Sequence, residues 1–99
     1  MVISEIAADA GIEIVHRCGL VLVPQKSGLI LIDKFRQLGV KIVGIERFIL
    51  HEEEVEPDIG GIADFSAVTT AQQSIIESVR FLRSMDDCEE AYLEFSLDR

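Results

Sequence analysis

Two groups of side chains in this 99-residue chain could supply a nucleophile or a metal ligand: His16 with Cys18, and His51 with the carboxylates that follow it. His16 and Cys18 are two residues apart, a spacing that places both on one face of a strand and could form a thiolate–imidazole pair. A catalytic cysteine is normally activated by a histidine that the fold brings to it and a third group orients, and no local signature of that kind surrounds Cys18. Packing or a surface turn is therefore the expected role of both residues.

The region around His51 matches a metal site only in composition. Glu53 or Asp58 could join His51 in binding a metal ion, and a carboxylate-rich loop could hold Ca²⁺. The alternating ligands and central glycine of an EF-hand are missing, however, and no HExxH motif or second histidine stands nearby. The glycines of "DIGGIAD" also lack the Lys-Ser/Thr or third glycine of a phosphate-binding loop. The sequence therefore predicts no metal, no cofactor and no catalytic residue.

Negative charge is the strongest chemical signal, and it is crowded into two short segments. "HEEEVEPD" spans residues 51–58, and "DDCEE" spans residues 86–90. A solvated loop is the ordinary explanation for a run of glutamates, but two such segments side by side would form one negative surface suited to capturing a basic protein. The carboxylates of this predicted toxin-binding or partner-binding surface are Glu52, Glu53, Glu54, Glu56, Asp58, Asp86, Asp87, Glu89 and Glu90.

Charge is distributed unevenly along the chain, whose net charge is −9. Residues 1–50 carry five acids and six bases, net +1, whereas residues 51–99 carry thirteen acids and three bases, net −10. This balance argues against binding of nucleic acid or an anionic membrane through the second half. Because 48% of the residues are apolar, the chain can bury one modest core, and we expect a single domain over residues 1–99.

The sequence shows no membrane-spanning run, secretion signal or disulfide pattern, which predicts a cytoplasmic protein. The apolar run at residues 28–32 is far below membrane-spanning length, and the N-terminus lacks a basic region followed by an apolar stretch and a cleavage site. Cys18 and Cys88 form neither a disulfide framework nor a CxxC motif. We expect both to be free thiols.

Apolar periodicity in the first half predicts four elements. A short helix over residues 4–10 is followed by strands near residues 12–16 and 19–23, although the first of these two runs could equally be the end of the helix. The stretch "KSGLILIDKFRQLG" predicts a helix over residues 27–38, with Ser27 as its N-cap and a glycine as its stop.

The second half begins with "VKIVGIERFIL", residues 40–50, whose apolar residues on both alternating faces predict a well-flanked central strand. The acidic stretch is expected to be a loop, followed by at most a short strand over residues 61–65. A final strand over residues 91–97 alternates apolar and polar residues and should bury Leu93 and Phe95.

The clearest helix covers residues 70–84. Thr70 and Gln73 form a capping-box pattern at its start. Its apolar stripe is predicted to consist of Ile75, Val79 and Leu82, broadened by Ile76 and Phe81.

The element order is β-α-β-(β)-α-β with an extra N-terminal element, which predicts an α/β (α+β) fold. A two-layer sandwich with two helices packed on one sheet satisfies this order. One acidic segment follows the central strand and the other precedes the last strand. The two segments would converge if those strand ends face the same way.

With its acidic segments and the stretch "VKIVGIERF", the chain resembles the small acidic immunity proteins that bacteria encode beside secreted or contact-dependent toxins. The resemblance covers size, charge and element order over the whole chain. It implies a cytoplasmic protein without catalytic residues that neutralises a cognate basic toxin, commonly a nuclease, by placing carboxylates against its nucleic-acid-binding cleft. Because these proteins are diverse, the resemblance transfers no individual site residue.

Two other functions remain open from the sequence. A ferredoxin-like (ACT-like) regulatory module that binds a small ligand is suggested by the element order and by "LGVKIVGIERF". A small hydrolase or metal-dependent enzyme would depend on His16, Cys18 and His51. Oligomeric state is left open by all three interpretations.

Overall fold

The computed structural model describes residues 2–98, which form three α-helices, one short 3₁₀ turn and five strands. In chain order the elements are α1 (Ile3–Asp9), β1 (Val15–Arg17), β2 (Leu20–Pro24), the 3₁₀ turn (Gln25–Ser27), α2 (Gly28–Leu38), β3 (Ile42–Leu50), β4 (Val55–Asp64), α3 (Ala71–Ser84) and β5 (Ala91–Leu97). Within residues 2–98, no helix is both long enough and apolar enough to cross a membrane.

The strands form one antiparallel sheet in the order β1-β2-β5-β3-β4. Since β2 and β3 both run antiparallel to β5, they are parallel to each other, and α2 connects them across the inserted β5. In the same way α3 connects β4 to β5 across β3. The sheet and three helices confirm the predicted α+β class, but the strand order differs from that of ferredoxin-like proteins, in which the third strand separates the first two.

The hydrophobic core lies between one face of the sheet and the helices. Leu93 and Phe95 of β5 are 0% and 3% exposed, as their alternation predicts. They share a single cluster of buried residues with Phe35 of α2 and Ile75 of α3, and the rings of Phe35 and Phe95 meet edge to face at 5.5 Å. An edge-to-face pair adds to the burial of apolar area, so this contact helps fix how α2 sits on the sheet.

Helix α3 begins as predicted but packs differently along its length. Thr70 Oγ1 accepts a hydrogen bond from the Gln73 backbone N–H at 3.1 Å, which caps the helix. Ile76, expected in the apolar stripe, is 44% exposed, while Ser74 is fully buried. Ser74 Oγ accepts from the Ile42 backbone N–H at 3.0 Å, so this small polar residue ties α3 to the start of β3.

Helix α2 starts without the predicted cap. Ser27 closes a 3₁₀ turn with helical backbone angles, and its side chain makes no capping hydrogen bond, because an N-cap needs an extended backbone to turn its oxygen toward the helix. At Gly28 an added Cβ would lie 2.5 Å from Leu82 Cδ2, so the glycine lets α2 approach α3 closely. Gly39 ends the helix with φ of +68°, as predicted.

Two strands begin three or more residues away from their predicted start. The first strand begins at Val15 rather than residue 12, because the Ile12 N–H bonds the Ala7 carbonyl at 2.9 Å and places Ile12 in the core beside α1. The strand expected over residues 61–65 instead begins at Val55, inside the acidic stretch. Pairing with β3 outweighs the poor strand propensity of its acids, glycines and proline.

Candidate functional site

Antiparallel pairing of β3 with β5 brings the two acidic segments to the same end of the sheet. Ile49 lies opposite Ala91, and the Leu50 backbone N–H donates to the Glu90 carbonyl at 2.9 Å. The end of β3 therefore lies beside the start of β5. We call this region the acidic end and define it by the carboxylates of Glu52, Glu53, Glu54, Glu56, Asp58, Asp86, Asp87, Glu89 and Glu90.

The first acidic segment is a hairpin rather than a loop. Residues 52–54 form the turn between β3 and β4 and are exposed, with the His51 N–H bonding the Glu54 carbonyl at 2.9 Å. Glu56 and Asp58 lie within β4 itself. Strand pairing thus holds Glu56 at the edge of the sheet, opposite Ile49.

Arg47 connects the two segments, a role that its sequence context did not indicate. Its side chain is only 11% exposed, and its Nε lies 3.2 Å from Asp58 Oδ2, close enough for charge attraction although not aligned for a hydrogen bond. Its Nη1 donates to the Asp86 carbonyl at 3.2 Å, and Gln25 Nε2 donates to the same oxygen at 2.9 Å. One half-buried cation therefore fixes a strand and a loop that both carry acids.

β4 has a four-residue bulge opposite Arg47. Pro57 pairs with Phe48 and Ile62 with Glu46, so residues 58–61 lie opposite Arg47 alone. The Asp58 carboxylate also accepts from the Gly60 N–H at 3.2 Å within this bulge. A Cβ on Gly61 would lie 2.6 Å from Arg47 Cβ, so a larger residue at that position would force Arg47 or the bulge to shift.

Arg17 of β1 contacts the residue that follows β3, although β2 and β5 lie between β1 and β3 in the sheet. Arg17 Nη1 donates to the His51 carbonyl at 2.8 Å. In a flat sheet β1 and β3 would be about 14 Å apart, because two strands separate them. Leu22 and Phe48 are 0% and 6% exposed, although they lie outside the main core cluster.

On the face of the sheet away from the core side chains Ile45 and Phe95, Glu46 of β3 pairs directly with Glu94 of β5. Burial, and then the charge of Glu46, raise the pKa of the Glu94 carboxyl above its ordinary value. Like charges in a directly opposed cross-strand pair are destabilising. This pair therefore adds to the repulsion that the acidic end already imposes.

A cavity of about 580 Å³ opens beside the acidic end. It lies between the 3₁₀ turn, the start of α2, the end of α3 and the loop before β5. Two residues of the acidic end, Asp87 and Glu89, line it.

The candidate catalytic and metal-binding residues are not brought together. His16 lies on β1, whereas Cys18 is in the following turn with φ of +52°, so the expected shared strand face does not exist. His51 Nε2 lies 3.2 Å from Glu56 Oε1, a surface contact. In residues 2–98 no three His, Cys, Asp or Glu side chains are grouped to hold a metal ion, and both cysteines are free thiols.

The function of the acidic end is interpreted from its own charge and geometry. No family model, no curated protein and no solved structure matches this chain.

Proposed function

We propose that this protein is an immunity or inhibitor protein that neutralises a basic protein toxin by binding it through the acidic end. The observation that carries the proposal is the pairing of β3 with β5, which merges two separate acidic segments into one surface. A partner with a cationic nucleic-acid-binding cleft, such as a nuclease, has a positive charge complementary to this negative surface.

The cations at this end are largely engaged within the protein. Arg47 is half-buried against Asp58 and the Asp86 carbonyl, and Arg17 donates to the His51 carbonyl. The glutamates of the β3–β4 turn are exposed and have no ion-pair partner among residues 2–98. A concentrated field of one sign accelerates association with an oppositely charged protein and excludes acidic ones.

The proposal is tested first by isolating the partner and then by measuring association. Purification from the native cell at low salt should retain one basic protein that salt releases. The double variant Glu53→Lys/Glu89→Lys should then bind that protein more slowly at low salt, by about tenfold or more, because it removes electrostatic steering. The difference should shrink as ionic strength rises.

A matched control separates local from overall charge. Asp9→Lys/Asp98→Lys changes the net charge by the same amount, but Asp9 ends α1 and Asp98 follows β5 at the end opposite Glu89. It should bind at close to the parent rate. If the Glu53→Lys/Glu89→Lys variant protects a cell from the toxin as well as the parent does, with an unchanged low-salt rate, the acidic end is not the binding surface.

A further inference from the structure

The cavity beside the acidic end has two chemically different walls. Leu29, Leu82 and Ala91 provide apolar surface, and Leu29 remains 43% exposed there although it belongs to a packed helix. Asp87 and Glu89 provide carboxylates on the side of the loop before β5. Such a lining suits a long side chain with an apolar stem and a cationic head.

Gln25, which also lines the cavity, carries a buried hydrogen-bond acceptor. Its Nε2 donates to the Asp86 carbonyl at 2.9 Å, which fixes the orientation of the amide because that carbonyl can only accept. Its Oε1 is buried and has no donor among residues 2–98. Because Oε1 is inaccessible to water in this conformation, a bound group reaches it only if the Gln25 side chain turns toward the cavity.

We propose that this cavity receives an arginine side chain of the protein partner. The proposal rests on the proposed function, which supplies a basic partner. A guanidinium offers five donors in a planar fork, so it can serve several separated acceptors, whereas a lysine ammonium acts as a compact and strongly hydrated point charge. The aliphatic stem of the arginine would cover Leu29 and Leu82.

Lys26 provides the argument for a rival occupant. Its side chain also lines the cavity, and an anion could bind between Lys26 and the start of α2. The two occupants respond oppositely to removal of this charge. Lys26→Met should strengthen arginine binding, since it removes a like charge, and should weaken binding of an anion.

The test uses the intact protein and small probes, without the partner. Backbone amide NMR shifts of the ¹⁵N-labelled chain are followed while N-acetyl-arginine methylamide is added at constant ionic strength. We expect saturable shifts at cavity residues such as Leu29 and Cys88, and binding about two- to fivefold weaker for the citrulline analogue, which keeps the shape and lacks the charge. The Asp87→Asn/Glu89→Gln variant should also bind arginine about two- to fivefold more weakly.

The matched control is Glu53→Gln, which removes a charge from the acidic end but not from the cavity lining. It should leave arginine binding nearly unchanged. The proposal is overturned by equal affinity for arginine and citrulline, by no saturable shifts at all, or by weaker arginine binding in Lys26→Met. N-acetyl-glutamate methylamide binding to the parent but not to Lys26→Met would instead assign the cavity to an anion.

The two proposals fail in distinguishable ways. If the probe does not bind but Glu53→Lys/Glu89→Lys still slows association with the toxin, the cavity assignment is wrong. The acidic end is then still supported as the toxin-binding surface. If the probe binds but charge reversal leaves toxin association unchanged, the cavity recognises arginine in a different context and the acidic end is not the toxin-binding surface.

Discussion

The middle of β5 and the segment that leads into it contribute in opposite ways to the protein. Leu93 and Phe95 are almost fully buried against the helices, where removal of apolar area from water stabilises the fold. Residues 86–90, immediately before this strand, are mostly exposed and carry four acids beside those of the β3–β4 hairpin. Charge repulsion there opposes the compact state. The pairing of β3 with β5 therefore both stabilises the core and positions an acidic surface that does not contribute to folding.

Truncating the core should have the largest effect. Leu93→Ala and Phe95→Ala should each lower the free energy of unfolding by about 2 to 5 kcal/mol, because each leaves a cavity in a closely packed cluster. Chemical denaturation measures the change. Losses of only a few tenths of a kcal/mol would mean that this face of β5 is not the core face.

The two adjacent glycines of the β4 bulge should respond differently to alanine. Gly61→Ala should destabilise the protein by about 1 to 3 kcal/mol, since the new Cβ meets Arg47 Cβ at 2.6 Å. Gly60→Ala is the matched control, because its Cβ would make only an ordinary contact with Asp58 Oδ1 at 3.8 Å. Equal effects of the two substitutions in thermal or denaturant unfolding would contradict the arrangement of Arg47 beneath the bulge.

Replacing Arg47 should loosen the acidic end rather than the core. Arg47→Met keeps a long apolar stem but removes the charge beside Asp58 and a donor to the Asp86 carbonyl. We expect a loss of about 1 to 3 kcal/mol, the cost of leaving partly buried polar groups without partners. Hydrogen exchange should speed up at residues 58–61 and 85–90 more than at Phe95. Uniform acceleration along β5 would show that Arg47 supports the core instead.

Removing the Glu94 charge should have the smallest effect, and its sign depends on pH. Because the pKa of Glu94 is raised above 4.5, the folded state binds more protons than the unfolded state in that window, and stability falls as pH rises through the raised value. Glu94→Gln should therefore stabilise the protein at neutral pH by about 0.2 to 1 kcal/mol, and the gain should shrink toward pH 4.5.

Glu53→Gln serves as the comparison for that experiment, since Glu53 lies exposed in the β3–β4 turn. Its effect on stability at neutral pH should be smaller than that of Glu94→Gln, because solvent screens an exposed charge. If the stability difference between Glu94→Gln and the parent does not change between neutral pH and pH 4.5, repulsion between Glu46 and Glu94 does not affect folding.

The elements predicted correctly are those whose capping residues, stop residues or apolar alternation match their positions in the folded protein. Helix α3 follows its Thr70 cap, α2 stops at Gly39, and β5 buries the face that its alternation indicates. Each of these signals acts over a few residues, so it survives into the folded chain. The two acidic segments were likewise visible as charge runs, although their role as a binding surface stays a prediction.

Other features depend on partners that are distant in sequence. Val55 and the acids after it become a strand because β3 lies beside them, and Ser74 rather than Ile76 faces the core because its hydroxyl meets the Ile42 N–H. Ser27 loses its expected capping role because the chain reaches α2 through a 3₁₀ turn.

The sequence by itself determined the α+β class, the main helices, the last strand and the places where negative charge is concentrated, because periodicity, caps and composition are local properties. Only the tertiary structure decided that the two acidic segments share one end of the sheet, that Arg47 joins them, and that a cavity opens beside Asp87 and Glu89. These are contacts between residues far apart in the chain. They follow from strand order and register, which arise from the packing of the whole core and which no short stretch of residues encodes.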